Sequence, residues 1–311
     1  MHLLHLRGIG YALASAILFG LGAVLAKLLT GEIDVTIISL LALAGGGLLL
    51  AGMLILTRTP LLPALAALTK TEWAQVFLLA CPGTALPLLV IVAGFARTSA
   101  LEGGLLLQLN GVAALLFAVM LLGERMRLKQ GLGIALLLLG GALVVAAGAR
   151  GAAGGSSLGN LLILAGALGL GFGFVPAKRL AHRIDPLLLT ALRLLVGAGS
   201  IAPVLVVWLL VGAQGILWQP TLTSLWALPT YIVTNFCLAY LTQQVGFRLL
   251  RAWEVAALAQ TVPIFSTISA LLLLRETMTP LQGVGGLLAV LGGLVVSLSQ
   301  EAPAPAREAG D

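Results

Sequence analysis

The chain has 311 residues, 60% of them hydrophobic and only 9% charged, with a mean hydropathy of +1.12; an ordinary soluble domain carries about 25% charge. That composition excludes a soluble globular domain and leaves an all-α polytopic membrane protein, with room for about ten helical crossings at roughly 20 apolar residues each. The net charge of +6 does not indicate a nucleic-acid partner, because the 17 Lys and Arg lie one to three at a time between apolar runs and build no basic face.

Polar breaks divide the chain into apolar segments at 8–30, 34–57, 72–96, 99–122, 128–149, 158–180, 187–211, 225–248, 252–274 and 280–299. Each is long enough to span a bilayer as a helix, the structure that satisfies its own backbone there. The first stretch, with Arg7 ahead of an apolar run and Ala14-Ser15-Ala16 within it, resembles a signal peptide, but it pairs with an internal segment below, which argues against cleavage. Twelve Lys and Arg (7, 58, 70, 125, 127, 129, 178, 179, 183, 248, 251 and 307) flank one side, against Lys27, Arg97, Arg150 and Arg275 on the other. The bias puts both termini in the cytoplasm of an inner-membrane, multi-pass protein. Trp73, Trp208, Trp218, Trp226 and Trp253 fall near segment ends, where amphipathic rings prefer the interface. The two cysteines, Cys81 and Cys237, lie inside apolar runs and read as buried thiols rather than a disulfide or metal framework.

Shifted by 152 residues, Leu121–Val144 meets Leu273–Val296 without a gap, with twelve of twenty-four positions identical. The matches include Glu124 with Glu276, Gln130 with Gln282, and Gly140-Gly141 with Gly292-Gly293. The same shift pairs Glu102 with Glu254 and Gln108 with Gln260, and a shift of 151 pairs Gly20, Gly22, Lys27 and Asp34 with Gly171, Gly173, Lys178 and Asp185. The organisation expected is two five-helix repeats, 1–149 and 158–300, with a flexible linker at 150–157 and a disordered cytoplasmic tail at 301–311. Five spans is an odd number, so the two repeats are inverted in the membrane, a plan that lets a carrier alternate access to a midplane site.

These elements resemble the drug/metabolite transporter superfamily, in its EamA-type ten-helix exporters. The resemblance rests on Gly20 through Lys27 and Gly171 through Lys178, on Asp185-Pro186 followed by Arg193, on Pro263, and on the Glu after helices four and nine with its Gln-Gly-x-Gly sequel. Two positions depart from it: Ala42 stands where an Arg is expected, and Gly111 where a Pro is expected. The resemblance implies export of small metabolites, most often amino acids, through a cavity walled by helices 1, 3, 4, 6, 8 and 9, with the YddG-like amino-acid exporters as the nearest branch.

Among candidate substrate-binding residues, Gln108 and Gln260 come to roughly the midplane at 1.5 Å per residue. An amide there lines a cavity or makes an interhelical bond. Pro263 and Gly111 each lie three residues further along the same faces, and Pro82, Pro87 and Pro263 are candidate helix kinks. Phe236, Tyr240, Gln243 and Phe247 form a stripe on helix eight, and Gln243 turns that stripe towards a cavity because an amide avoids hydrocarbon. Asn235 and Thr84 are further candidates. Lys27 and Lys178 either meet a substrate carboxylate or snorkel to the headgroups, and Arg193 snorkels, anchors packing or touches substrate. Glu102, Glu124, Glu254 and Glu276 read as interface pairs.

The sequence offers no cofactor site, no metal cluster, no phosphate loop and no catalytic set at one depth, so the leading expectation is a carrier rather than an enzyme. Its neutral midplane groups suit neutral or aromatic amino acids by alternating access, as a monomer or homodimer in the lipid bilayer. Nucleotide-sugar or sugar-phosphate transport is the alternative and requires Lys27, Lys178 or Arg193 to face the cavity. An intramembrane enzyme or a lipid-handling protein comes after it. No histidine lies in a span, so the expectation is movement down the solute's own gradient. The exception is Glu102 and Glu254, which would carry protons if they reach a water-filled vestibule.

Overall fold

The computed structural model describes residues 2–57, 61–122, 128–148, 156–180, 183–210, 217–250, 255 and 258–298. Ten helical elements follow the apolar segments: α1 (His2–Leu29), α2 (Val35–Leu56), α3 (Lys70–Phe95), α4 (Ala100–Leu106 and Leu109–Leu122), α5 (Leu128–Gly148), α6 (Ser157–Leu180), α7 (Pro186–Leu210), α8 (Leu222–Tyr231, Ile232–Ala239 and Tyr240–Leu249), α9 (Val262–Leu273) and α10 (Pro280–Leu298). The only β pairing among the described residues is a single bridge, Ile33 to Trp218. The protein is a polytopic all-α membrane protein. The linker expected at 150–157 and the tail at 301–311 lie mostly or wholly outside the described residues.

Short polar side chains set the helix starts. Asp34 accepts from the N–H of Thr36 at 2.8 Å, and its repeat mate Asp185 accepts from Leu187 at 2.9 Å, each satisfying an N-terminal donor that the helix leaves open. Thr69 and Glu72 form a capping box at the start of α3.

Contacts between loops sort the helix ends into two layers. At the first, Glu32 after α1 accepts from Thr221 before α8, Arg97 after α3 accepts from the Ser156 N–H before α6, and Glu276 after α9 accepts from Ala100 and Leu101 at the start of α4. At the second, Arg183 after α6 meets Glu72 before α3, and Asp185 before α7 meets Arg248 at the end of α8. Thus α1 ends in the first layer and its mate α6 in the second: the repeats run in opposite directions.

The packing is exchanged between repeats in the same way. α1 packs on α8 and α9, and α6 packs on α3 and α4, while α2 pairs with α7 and α5 with α10. The matched glycines explain these crossings. A Cβ on Gly20 would lie 2.8 Å from the Ser266 nitrogen of α9, and one on Gly171 would lie 2.7 Å from the Ala114 nitrogen of α4. Between α5 and α10, a Cβ on Gly285 would lie 2.7 Å from the Gly140 carbonyl oxygen, and one on Gly292 would lie 2.6 Å from the Leu137 nitrogen. Small residues let helix backbones approach in lipid, where dispersion must supply what the hydrophobic effect cannot.

Candidate functional site

Two pairs of helices lose regular α geometry at repeat-related depths. In α3, residues Cys81–Ala85 form a π-turn that contains Pro82 and ends two residues before Pro87, and in α8 residues Ile232–Ala239 are also π-helical. π-turns widen the helix and re-aim side chains. The bulges meet the first helix of the other repeat: Gly83 packs against Gly173 of α6, and Asn235, one repeat away, packs against Gly22 of α1 and donates to the Leu18 carbonyl at 3.2 Å. Asn235 therefore bridges helices. Of the expected stripe, the Phe236 and Tyr240 rings stay together, with centroids 6.1 Å apart, although the helix takes α-helical spacing only from Tyr240 onward. Phe236 is buried against Gly46 of α2 and the ring of Tyr231, with centroids 5.2 Å apart.

The second pair is α4 and α9, interrupted at Leu107–Gln108 and at Gln260–Thr261. Tight bonds close the turns, from Gly111 N–H to the Gln108 carbonyl and from Thr261 N–H to the Leu258 carbonyl. At the position equivalent to Gly111, Pro263 has no N–H to give. Gln108 and Gln260, both buried, meet here, with Gln108 Nε2 donating to the Gln260 carbonyl at 3.1 Å. The Gln260 side chain lies between Gly111 and Gly293, and its Oε1 is buried without a hydrogen-bond partner. The Gln108 amide and the Gln260 backbone thus join the interrupted helices of opposite repeats.

Beside the first bulge lies a residue that the sequence singled out only weakly. Arg193, about 10 Å into α7 at 1.5 Å per residue, is buried and donates through Nε to Thr84 Oγ1 at 2.6 Å. Thr84 in turn donates to the Leu79 carbonyl five residues earlier, the spacing of the π-turn. The guanidinium carbon lies 4.4 Å from the centroid of the Tyr240 ring, and Tyr240 meets Phe19 of α1 edge-on at 5.1 Å. Among the described residues no carboxylate pairs with Arg193. A guanidinium carries five N–H donors, and among the described residues only the one on Nε is hydrogen-bonded. Sequence spacing had no means of showing this, because the surroundings come from α3, α7 and α8 together.

The remaining candidates lie elsewhere. Gln243 is partly buried on α8. Lys27 donates to the Phe95 carbonyl at 2.8 Å and so caps the last turn of α3 rather than snorkelling. The side chains of Lys178 and Phe247, and all of Glu124 and Glu254, lie outside the described residues. Glu276 caps α4 as described. Glu102 has no cationic partner among the described residues and is 1% exposed, in a cage of Thr98, Asn160 and Gln282. This corrects the expectation of an interface ion pair: the residue lies at a helix end, but α6 and α10 cover that end.

The model of the EamA-like transporter family matches residues 6–146 and again 157–298. A curated protein of Methanothermobacter thermautotrophicus, described as an uncharacterized transporter, is 24% identical over 236 residues, covering 74% of this chain; the chain spans 66% of that relative's length. A crystal structure of a protein 20% identical shares the fold with a TM-score of 0.66, over 92% of this chain and 95% of that one.

Proposed function

We propose a carrier that exports small zwitterionic solutes, neutral or aromatic amino acids above all, and the premise is membership: the chain belongs to the EamA-like transporter family. The observation that carries the substrate class is Arg193, a buried cation with no carboxylate partner among the described residues, held by Thr84 and laid over Tyr240. A buried unpaired charge is costly, and a ligand carboxylate offers it a bidentate partner. The Phe19–Tyr240 pair supplies an apolar wall for a side chain.

A sugar phosphate is the second reading, because Arg193 is also the residue it would need. A phosphate near its second pKa carries up to two charges, and Lys27 is engaged with the Phe95 carbonyl instead of standing beside Arg193. One cation on an aromatic face suits a single carboxylate better. The interrupted helices α4 and α9, joined at Gln108 and Gln260, are the hinge for alternating access. Gln243 and Tyr240 extend the cavity wall, Thr84 orients Arg193, and Asn235 holds α8 on α1. The carrier resides in the inner membrane with both termini in the cytoplasm and acts without a cofactor.

The test is counterflow in proteoliposomes with labelled phenylalanine, leucine and a hexose phosphate. The expected result is exchange of the amino acids, reduced more than tenfold in Arg193→Gln at equal folded protein and partly kept in Arg193→Lys. Exchange of the hexose phosphate alone overturns the amino-acid reading, and an undiminished Arg193→Gln overturns the anchoring role.

A further inference from the structure

We propose that Glu102 is a proton-binding site and that its protonation is coupled to the movement of the half-helix of α4 on which it rides; this rests on the carrier reading above. Glu102 is the third residue of Ala100–Leu106 and is 1% exposed. Gln282 Nε2 of α10 donates to its Oε1 at 3.1 Å, Asn160 Nδ2 of α6 donates to its Oε2 at 3.2 Å, and Thr98 Oγ1 lies 3.2 Å from the same oxygen.

No charge compensates it among the described residues. α6 and α10 face it with the uncharged Asn160 and Gln282. Lys27 of α1 is bonded to the Phe95 carbonyl, and Arg97 of the α3–α4 connection donates to the Ala93 carbonyl. The free N–H groups at the start of its own half-helix, Ala100 and Leu101, are taken by Glu276, which brings a second carboxylate to that terminus. Next to it in the chain, Arg275 makes no ion pair with Glu102.

Proton counting in the cage points the same way. Thr98 Oγ1 lies 2.6 Å from Asn160 Oδ1, and a hydroxyl has one proton to give. The short contact takes it, which leaves Thr98 and Glu102 Oε2 facing each other as two acceptors. Turning the Asn160 amide over moves the deficit to its contact with Glu102 and does not remove it. With a proton on Oε2 the triangle closes: Glu102 donates to Thr98, Thr98 to Asn160, and Asn160 to Glu102. A proton on Oε2 thus turns the one acceptor–acceptor contact of the cage into a hydrogen bond, and an unmet contact is costly in a dry interior.

The same half-helix ends at the Leu107–Gln108 interruption, bonded across to α9. Two of the three partners of Glu102, Asn160 and Gln282, belong to the other half of the chain. Movement of α4 against α6 and α10 therefore opens the ring, exposes the carboxylate to water and lets its proton go. One proton taken up and released per cycle, against one solute moved, couples the two fluxes.

Proteoliposomes of the full chain test this, with labelled phenylalanine equal on both sides and the membrane potential clamped by valinomycin in symmetric potassium. A pH difference of one unit should drive phenylalanine uphill, towards a ratio of about tenfold at one proton per solute. Glu102→Gln should keep counterflow at symmetric pH and lose the proton-driven accumulation. Independently, adding phenylalanine to the wild type in weak buffer should shift the pH read by a dye, and adding it to Thr98→Val should give a smaller shift. Counterflow in the wild type without proton-driven flux or a proton signal overturns the proposal and leaves the carrier reading standing. Proton-driven accumulation that persists in Glu102→Gln also overturns it, and absence of counterflow for every amino acid overturns both.

Discussion

Arg193 and Glu102 owe their character to what is absent around them, which a linear pattern does not display. The apolar neighbours of Arg193 in α7 say that it is deep, but only the π-turn of α3 brings Thr84 to its Nε and only α8 lays Tyr240 over it. Glu102 lies at a helix end, where a carboxylate is ordinarily wet; burial comes from Asn160 and Gln282, which stand 58 and 180 residues away. Glu32 shows the opposite case, a loop carboxylate whose hydrogen bonds hold its pKa below the ordinary carboxylate value. The Thr221 hydroxyl is the largest cause, followed among the lowering contacts by the Ser224 hydroxyl and then the backbone N–H groups of both residues. A carboxylate with a depressed folded pKa contributes stability above its unfolded pKa and loses it as pH falls through the folded value. Glu32→Gln should therefore lower the thermal midpoint near neutral pH, and the deficit should close below about pH 4.5. A deficit of equal size at both pH values would show that the carboxylate charge is not responsible.

At the scale of elements, the span positions were legible because apolar runs and the caps Asp34 and Asp185 mark them chemically. The π-turns were only half legible. Pro82 and Pro87 flag a disturbance in α3, whereas the turn in α8 begins just after Pro229 with no break in its pattern. Pro263 marked a disturbance in α9, whereas Gly111, standing where a proline is expected, gave no such mark for α4; the contact that joins the two interruptions runs through Gln108 and the Gln260 backbone. The free Oε1 of Gln260 is the informative atom there. A buried amide oxygen without a partner costs about 1–3 kcal/mol, so this arrangement is held above one in which that oxygen is satisfied. Gln260→Leu, which removes the unmet acceptor at similar volume, should hold or raise the thermal midpoint while slowing solute flux per folded molecule. Unchanged flux would mean the amide takes no part in the cycle. Gly293→Leu is expected to act differently and lower the folded yield, because a Cβ there collides with Gln260 Oε1. Expression equal to wild type would show that α10 gives way at that point.

The whole molecule is two copies of one plan, yet it does not divide into two bodies. The gapless match between Leu121–Val144 and Leu273–Val296 made the duplication readable. What it did not convey is that α1 leaves its own repeat to pack on α8 and α9, as α6 does on α3 and α4. The glycines at those crossings, Gly20 and Gly171, are therefore matched in sequence because they perform the same task across the interface, not within a half. The pairing of α5 with α10 closes the arrangement on the other side. Each half alone would expose the seats of its missing partner helix to lipid, and would lose Asn160 and Gln282 or, conversely, Glu102 from the shared cage. Separation is then a direct test. Co-expression of residues 1–150 and 156–311 as two chains, with a tag on one, should return both in a defined complex that carries out counterflow. Either half expressed by itself should be degraded or aggregate. A half that purifies alone as a monodisperse, thermally cooperative species would show that the exchanged packing of α1 and α6 is dispensable, and that each repeat is a folding unit in its own right.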